Sequence, residues 1–478
     1  MSNSTAIAVE EWRLWLRSRV VKTATAVFLA ILVATCISSV VNILEARHER
    51  AHHQVEAEEQ FYDQPARHPH RMVHYGHYVY RTPSALSVFD PGLDALTGQT
   101  IFLEGHRQNS AAFADASATA ELGAFSHLTP ALAYQLFAPL ILILLGHNVI
   151  SRERVASTLT LLLSQGVTGG VLLLGKALAL LMAVGLLLLP LLVTGAVAIL
   201  NGESLLVVGV LLLTYASYLV IWSLLALLAS AIAPRQSDAL VLLTAAWLVS
   251  SLLLPSLAVT EVSQRSSALG YIQSNLTMQA DLRKLGDGHD ASDPAFEALK
   301  QRLLAEHGVD SVEELPMNFR GVVSEYNEGK VTELLNEYAE ARMQTESVQN
   351  ALLLKYGWIA PILPLMEASR VLSGSDIANH HAFLRKAEET RFEFVQGLNR
   401  LHAQKLSLAD DLQRSSDPEA EQRTRLGAEN WSVLERFEFR PMPYELRIGS
   451  AWSSISILLS WLLILMIAMG FAGRRLSP

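Results

Sequence analysis

The chain has 478 residues, of which 51% are hydrophobic and only 17% are charged, and its mean hydropathy is +0.28. Soluble domains carry about 25% charged residues, so this composition excludes a disordered chain and favours a membrane protein with aqueous parts. The net charge of −9 argues against a nucleic-acid-binding protein, and the single cysteine excludes a disulfide scaffold.

Six stretches of the chain reach the length of about 20 apolar residues that a helix needs to cross a bilayer. We expect a membrane protein of the all-α or mostly-α class, with six transmembrane helices and a large, mainly helical extracytoplasmic domain. Residues 1–22 are predicted to form an amphipathic helix on the cytoplasmic surface, with Trp12 and Trp15 at the level of the lipid headgroups. The predicted membrane segments are residues 23–44, 129–150, 171–200, 205–232, 239–260 and 448–472.

Lysine and arginine residues next to these segments set their orientation. All of them fall on one side of the membrane if both termini are cytoplasmic, which leaves residues 473–478 as a short inner tail. The first segment is longer than the apolar region of a signal peptide and is interpreted as a retained anchor. We expect a multi-pass protein of the bacterial inner membrane. The flanking basic residues are Arg13, Arg17, Arg19, Lys22, Arg152, Arg154, Lys176, Arg235, Arg474 and Arg475.

This topology leaves two long regions, residues 45–128 and 261–447, outside the cytoplasm. The second region contains 30 Asp and Glu against 21 Lys and Arg, so its balance accounts for the whole net charge of −9. Its acidic pair Asp410 and Asp411 is expected on a solvated helix surface. The helices predicted from apolar spacing follow Pro294 and cover residues 331–355 and 377–406.

No catalytic motif emerges from the chain. Residues 170–176 fit the phosphate-binding pattern G-x-x-x-x-G-K, but Ala177 takes the place of the Ser or Thr that would bind Mg²⁺. We therefore expect a protein that is not an enzyme and holds no cofactor of its own. The residues interpreted as part of the cytoplasmic boundary are Gly175, Lys176, Arg235 and Asp238, the last two as an ion pair.

Histidine is concentrated in the first outer region, where seven of the 15 lie between residues 48 and 77. Imidazole is a ligand for Zn, Cu, Fe and Ni, and several of these histidines have workable ligand spacings. The alternative is a solvated loop whose histidines and tyrosines cover the neighbouring domain. The candidate metal ligands are His48, His52, His68, His70, His74 and His77.

The segment between the second and third predicted membrane helices carries a motif. Residues 150–164, ISRERVASTLTLLLS, resemble the E-R-x-x-G-T-L signature of ABC-2 type transporter permeases, with Ala156 and Ser157 where that pattern usually has glycine. In that family the segment, here residues 151–170, forms a coupling helix that contacts a separate ATPase subunit. The resemblance implies ATPase-coupling roles for Arg152, Glu153, Arg154, Ser157 and Thr158.

A second motif adds to the resemblance. Residues 364–376, PLMEASRVLSGSD, are similar to an ABC-2 permease subfamily with a large domain of unknown function between its last two membrane helices. Residues 81–83 and 89–93 are similar to the first-loop pattern of that subfamily. The motif residues in the outer domain are Pro364, Ser369, Gly374, Asp376 and Arg391.

The resemblance implies a permease subunit that couples ATP hydrolysis on a separate chain to movement of a substrate across or out of the inner membrane, with export as the expected direction. ATP and Mg²⁺ would bind that ATPase partner, present in two copies. Further expected partners are a second permease chain, identical or paralogous, a periplasmic protein and membrane lipids. Two alternatives stay open. One is a metal-related maturation permease, of copper type, that uses the His-rich loop, and the other is a mechanotransmitter that acts on a periplasmic partner.

Overall fold

The computed structural model describes residues 2–94, 96–112, 128–265 and 271–476. Residues 113–127 of the predicted His-rich loop and the last two residues of the predicted inner tail lie outside this described part. Within it the chain is mostly helical, and six helices are long and apolar enough to cross a membrane, as predicted. These helices, termed spans 1 to 6, are Arg19–Tyr62, Pro130–Val155, Gly169–Leu200, Leu205–Ile232, Gln236–Arg265 and Tyr444–Arg475.

A separate N-terminal helix, Asn3–Arg17, precedes span 1. Ser18 lies between the two helices in an extended conformation. Its amide donates to the carbonyls of Leu14 and Trp15, and its hydroxyl accepts from the amide of Val21. The amphipathic helix predicted over residues 1–22 therefore ends at Arg17, because a single serine caps both helices.

Spans 2, 3 and 5 are not uniform helices. Span 3 breaks at Leu188, just before Pro190, because a proline nitrogen cannot donate a helical hydrogen bond. A π-helical turn lies inside span 2 and another inside span 5, a distortion that is frequent at functional sites. The segments are Pro130–Leu132, Ala133–Phe137, Ala138–Gly146 and Ser151–Val155 in span 2, Gly169–Leu187 and Leu189–Leu200 in span 3, and Gln236–Leu248, Val249–Leu253 and Leu254–Arg265 in span 5.

The chain between spans 5 and 6 forms a helical unit, here termed the interspan domain. Its long helix, Phe319–Lys355, begins earlier than the predicted residue 331, because the Asn318 side chain accepts from the amide of Arg320 and caps it. The motif helix, Ile362–Ser373, and the arginine helix, Ile377–Lys405, follow. The other helices of the domain are Tyr271–Leu282, Glu297–His307, Leu408–Gln413 and Pro418–Arg423.

The chain between spans 1 and 2 packs on this domain. It contains the histidine helix, Pro69–Tyr75, and the antiparallel strands β1, His77–Tyr80, and β2, Thr100–Leu103, with His77 opposite Leu103. Apolar side chains from both parts of the chain are buried in one core, so residues distant in sequence can meet in one site. This core includes Phe61, Val73, Val79, Ile101, Phe383, Phe394, Leu398 and Trp431.

The spans share a second core that extends into the interspan domain. Leu142 of span 2, Leu180 of span 3 and Leu219 of span 4 are fully buried in it. Leu365 and Leu372 of the motif helix belong to the same cluster. The motif helix is therefore packed directly against the apolar bundle.

Candidate functional site

Residues 151–164 form two short helices, Ser151–Val155 at the end of span 2 and Thr158–Ser164 after it, where the sequence predicted one coupling helix over residues 151–170. Ser157 joins them with a φ of 58°, in the left-handed region that costs energy for a residue with a side chain. The permease signature that this segment resembles usually has glycine here, a residue that adopts this conformation without strain. The turn at Ala156 and Ser157 is exposed.

The charged residues of this segment bond inward. Lys176 Nζ lies 2.6 Å from Glu11 Oε2 and 3.1 Å from Glu153 Oε1, and Arg152 donates to Glu11 Oε2 at 2.9 Å. Glu153 also accepts a hydrogen bond from the Thr158 hydroxyl. Glu11 and Lys176 are buried, so Lys176 is the centre of an ion-pair network that ties the segment to the N-terminal helix and span 3.

Two further contacts fix this end of the molecule. Arg154 donates to the carbonyls of Ala231 and Ala233, each at 2.5 Å, at the end of span 4. Gly175 lies where the N-terminal helix crosses span 3, and a Cβ there would come within 2.7 Å of Ile7. The 151–164 segment is therefore bonded to the N-terminal helix and to spans 3 and 4.

The ion pair expected between Arg235 and Asp238 is wrong. Both side chains are exposed, and no ion pair joins these two described residues. Asp238 instead accepts a hydrogen bond from the hydroxyl of Ser237.

The motifs from the two outer regions meet at the end of the bundle. The Ser369 hydroxyl of the motif helix donates to the carboxylate of Asp90 and lies 2.9 Å from the Tyr215 hydroxyl of span 4. Gly374 ends the motif helix with a φ of 68°, and its carbonyl accepts from Arg81. Residues 81–93 and 364–376 are therefore parts of one buried contact.

Two other motif residues shape the helices of the domain. Pro364 lies in the first turn of the motif helix, against Gly357. Asp376 caps the arginine helix by accepting from the amide of Ala378 at 3.1 Å. Pro364 therefore helps to start the motif helix and Asp376 starts the arginine helix, and both are structural roles.

Arg391 joins the motif to a buried carboxylate. Its guanidinium donates to Glu328 Oε1 at 2.6 Å, to the Thr332 hydroxyl at 2.7 Å and to Glu388 at 2.8 Å. The other oxygen of Glu328 lies 2.9 Å from His106 Nδ1. Burial opposes the charged form of Glu328, but His106 and Arg391 outweigh it and hold the pKa of Glu328 at about 2. Glu328 is therefore a fixed anion that orients His106.

His106 belongs to a group of four histidines, His70, His74, His106 and His289, here termed the four-histidine cluster. One ring nitrogen from each lies within 4.8 Å of those of the others. Burial and the neighbouring histidines lower the pKa of His70 to about 2, so its ring is neutral. Sequence spacing predicted His70 and His74 as candidate ligands but missed His106 and His289.

A second histidine group is fully buried and contains a carboxylate. His68 Nε2 lies 3.2 Å from Asp411 Oδ1, and His402 Nε2 lies 2.8 Å from Asp411 Oδ2. Burial favours the neutral acid, but the two histidines and the nearby Arg320 lower the pKa of Asp411 far below its usual range. The expectation that Asp411 lies on a solvated surface is wrong, because this carboxylate turns into the core while Asp410 faces outward. These residues, His68, His402 and Asp411, are termed the His–Asp network.

The other predicted ligands lie apart from the cluster. His48 is exposed on span 1, and His52 lies with His53 and Glu56 in an exposed group on the same helix. His77 is buried in β1, where its Nε2 lies 3.4 Å from the side-chain amide of Gln54. Of the six predicted ligands, only His70 and His74 come together in one group of donors.

Residues 275–440 match a family model described as a domain of unknown function (DUF3526). The matched range covers most of the interspan domain, including His289, Glu328 and Arg391, and lies between spans 5 and 6. The description of that family names no activity. No curated protein matches the sequence.

Proposed function

We propose that this chain is the membrane subunit of an ABC-2 type transporter, in which a separate ATPase subunit hydrolyses ATP and a second permease chain completes the membrane path. Both termini would be cytoplasmic and the interspan domain would lie outside the inner membrane. The observation that carries the proposal is the geometry of the 151–164 segment. Its charged side chains form ion pairs and hydrogen bonds within the chain, and the face opposite them is exposed.

The open face has the character of a docking surface. Val155 and Leu161 are 59% and 56% exposed, and Ala156 and Thr160 beside them are also exposed. Burying such apolar side chains against a partner is favourable at roughly 25 cal/mol per Å². A partner bound here would push on the inward ion pairs and so on the N-terminal helix and span 3.

The contact can be tested by photo-crosslinking in native membranes. A crosslinking amino acid at Leu161 is expected to capture an ABC ATPase, identified by mass spectrometry through its Walker A sequence. The matched control is Leu412 of the interspan domain, which is 55% exposed and should capture no ATPase. If Leu161 gives no ATPase adduct, or Leu412 gives the same one, the proposal is wrong.

The inward ion pairs predict an uncoupled variant. Glu153→Ala leaves Lys176 paired with Glu11 but removes the link from the segment to span 3, so membrane insertion and ATPase binding should persist. ATP should then no longer change the distance between spin labels at Arg17 and Leu213. The control is Glu10→Ala, which removes only an exposed pair with Arg13 and should leave the ATP response intact.

The orientation has its own test. In a Cys36→Ser background, which removes the one native thiol, a membrane-impermeant maleimide should label Leu412→Cys in intact spheroplasts and leave Leu161→Cys unlabelled. Permeabilised cells should label both positions. The reverse pattern would place the interspan domain in the cytoplasm and contradict the proposal.

A second candidate, a mechanotransmitter, is favoured by the hydrogen bonds that join the spans to the interspan domain. Tyr215 of span 4 bonds Ser369, and the buried Arg447 at the start of span 6 donates to Glu203 and to the Leu372 carbonyl at 2.8 Å. Movement of either span would therefore move the motif helix. For this function, Tyr215→Phe should abolish an ATP-dependent change in the position of the interspan domain, measured by spin labels, while ATPase binding persists.

A further inference from the structure

We propose that the four-histidine cluster is a binding site for one divalent transition-metal ion, with Zn²⁺ as the best match. This inference rests on the cluster alone and does not depend on coupling to an ATPase. Four imidazoles are suitable ligands for such an ion, and the cluster itself contains no carboxylate that would favour Ca²⁺ or Mg²⁺.

Two separations between ring nitrogens are close to those of tetrahedral coordination, and all four nitrogens lie within 4.8 Å of one another. His70 Nε2 lies 3.3 Å from His74 Nε2 and 3.1 Å from His289 Nδ1. Zn–N bonds of about 2.0–2.1 Å in a tetrahedron require nitrogens about 3.3–3.4 Å apart. Small side-chain adjustments would therefore place an ion between these rings.

The cluster also lacks the partners that buried histidines usually have. His106 Nε2 is buried and has no hydrogen-bond partner within the described part of the chain. Buried polar atoms are nearly always bonded, so an unpaired nitrogen in such a group indicates an absent ligand. His74 and His289 are exposed, which leaves the ion a path from solvent.

Glu328 prepares His106 to bind a metal. Its carboxylate accepts from Nδ1 of His106, which assigns the proton to that nitrogen and leaves the lone pair on Nε2. Carboxylates bonded in this way to metal-ligating histidines fix the ring and raise its basicity. Arg391 holds Glu328 in place from the opposite side and offsets its charge. Glu328 and Arg391 are therefore positioning residues.

The backbone is also arranged to bring the three chain segments together. His106 follows β2 with a φ of 67°, and a Cβ on the preceding Gly105 would come within 2.2 Å of Val73 in the histidine helix. A Cβ on Gly288, next to His289, would come equally close to Asn327 of the long helix. A bound ion would therefore cross-link the chain between spans 1 and 2 to the interspan domain.

The test uses the full-length chain, purified in detergent with a tag that contains no histidine and stripped with a chelator. Titration with Zn²⁺ by calorimetry is expected to show one saturable equivalent per chain. Titration with Co²⁺ is expected to give the visible absorption of a tetrahedral site. His74→Ala and His289→Ala should each weaken Zn²⁺ binding at least 100-fold.

The matched control is the double variant His52→Ala/His53→Ala, which removes an exposed histidine group from the same part of the chain and should bind Zn²⁺ as the wild type does. Glu328→Gln should weaken binding 10- to 100-fold with the stoichiometry unchanged. Melting temperatures measured without metal establish that each variant is folded. The proposal is overturned if Zn²⁺ binding is not saturable, if His74→Ala and His289→Ala leave it unchanged, or if the control variant loses it.

Discussion

Two histidine groups begin two residues apart at the start of the same short helix, and they differ in what faces the rings. His68 joins the His–Asp network, where Asp411 accepts from both histidines and is itself surrounded by arginines. His70 joins the four-histidine cluster, where its Nε2 faces only other ring nitrogens. In the first group both rings face the carboxylate of Asp411 through Nε2, whereas in the second group the ring nitrogens face one another and only His106 has a carboxylate partner, Glu328.

The difference separates a structural site from a binding site. A carboxylate that lies between two histidines, as Asp411 does, accepts from both rings and occupies the place where a shared ligand would bind. A group of histidines with no carboxylate between the rings gains stability when a ligand binds their lone pairs. The groups that face the histidine rings are therefore a better indication of a binding site than the number of histidines in a region.

The largest expected effect is the loss of stability when the His–Asp network is broken. Asp411→Ala removes the carboxylate on which two histidines and Arg320 converge, and leaves buried positive or donor groups without an acceptor. Removing one partner of a buried charged group typically costs about 3–5 kcal/mol of unfolding free energy. Chemical denaturation followed by tryptophan fluorescence would measure this loss.

Asp410→Ala is the control, since Asp410 pairs with the exposed Arg423 and such surface pairs contribute about 0–1 kcal/mol. The Asp411→Ala variant, where it remains folded, should still bind Zn²⁺. Equal destabilisation by both substitutions would contradict the structural role of the network.

The next effect is the stabilisation of the folded chain by Zn²⁺ bound to the four-histidine cluster. A ligand that binds only the folded state at 100 times its Kd adds about 2.7 kcal/mol of stability. Zn²⁺ at that excess should therefore raise the melting temperature of the wild type and of Asp410→Ala, but not of His289→Ala. A rise in all three proteins would show that the ion binds elsewhere, and no rise in any of them would show that it does not bind the folded chain.

A smaller effect concerns buried histidines outside both groups. Burial lowers the pKa of His77 and of His380 to about 4, below the ordinary value of about 6.5. Each therefore takes up a proton on unfolding between these values, so stability is present at neutral pH and is lost as the pH falls from about 6.5 to about 4. The slope is at most about 1.4 kcal/mol per pH unit for each histidine.

His77→Phe should reduce the slope of unfolding free energy against pH by up to about 1.4 kcal/mol per pH unit, the contribution of one proton. Unfolding free energies of the variant and the wild type at pH 7, 6 and 5, measured with chelator present, test the prediction. An unchanged slope would mean that His77 keeps an ordinary pKa in the folded chain.

Sequence predicted the spans well because a long apolar stretch is a local property. It did not predict how they are interrupted. The break at Leu188 could have been expected from Pro190, and the π-helical turns in spans 2 and 5 each end two residues before a proline, Pro139 and Pro255. The early start of the long helix at Phe319 was missed because the cap is a single asparagine.

The site was harder to predict because its members come from three distant segments. His70 and His74 could be found from their spacing of four residues, which places them on one helix face. His106 and His289 are single histidines in ordinary loops, and only the folded chain brings them to the other two. Asp411 was misjudged for the same reason, since a pair of adjacent acids does not reveal which one faces the core.

The smallest expected effect concerns the exposed histidine group of span 1. His52 and His53 both lie within 3.4 Å of Glu56, with side chains more than half exposed. Exposed pairs of this kind contribute about 0–1 kcal/mol, so the double alanine variant should change the unfolding free energy by less than about 1 kcal/mol at pH 7. Water already satisfies these rings, which removes the reason to bind a metal tightly. If this variant nevertheless lost as much Zn²⁺ affinity as His289→Ala, the ion would not bind only at the four-histidine cluster. The number of histidines nearby, rather than the arrangement of the four rings, would then determine where it binds.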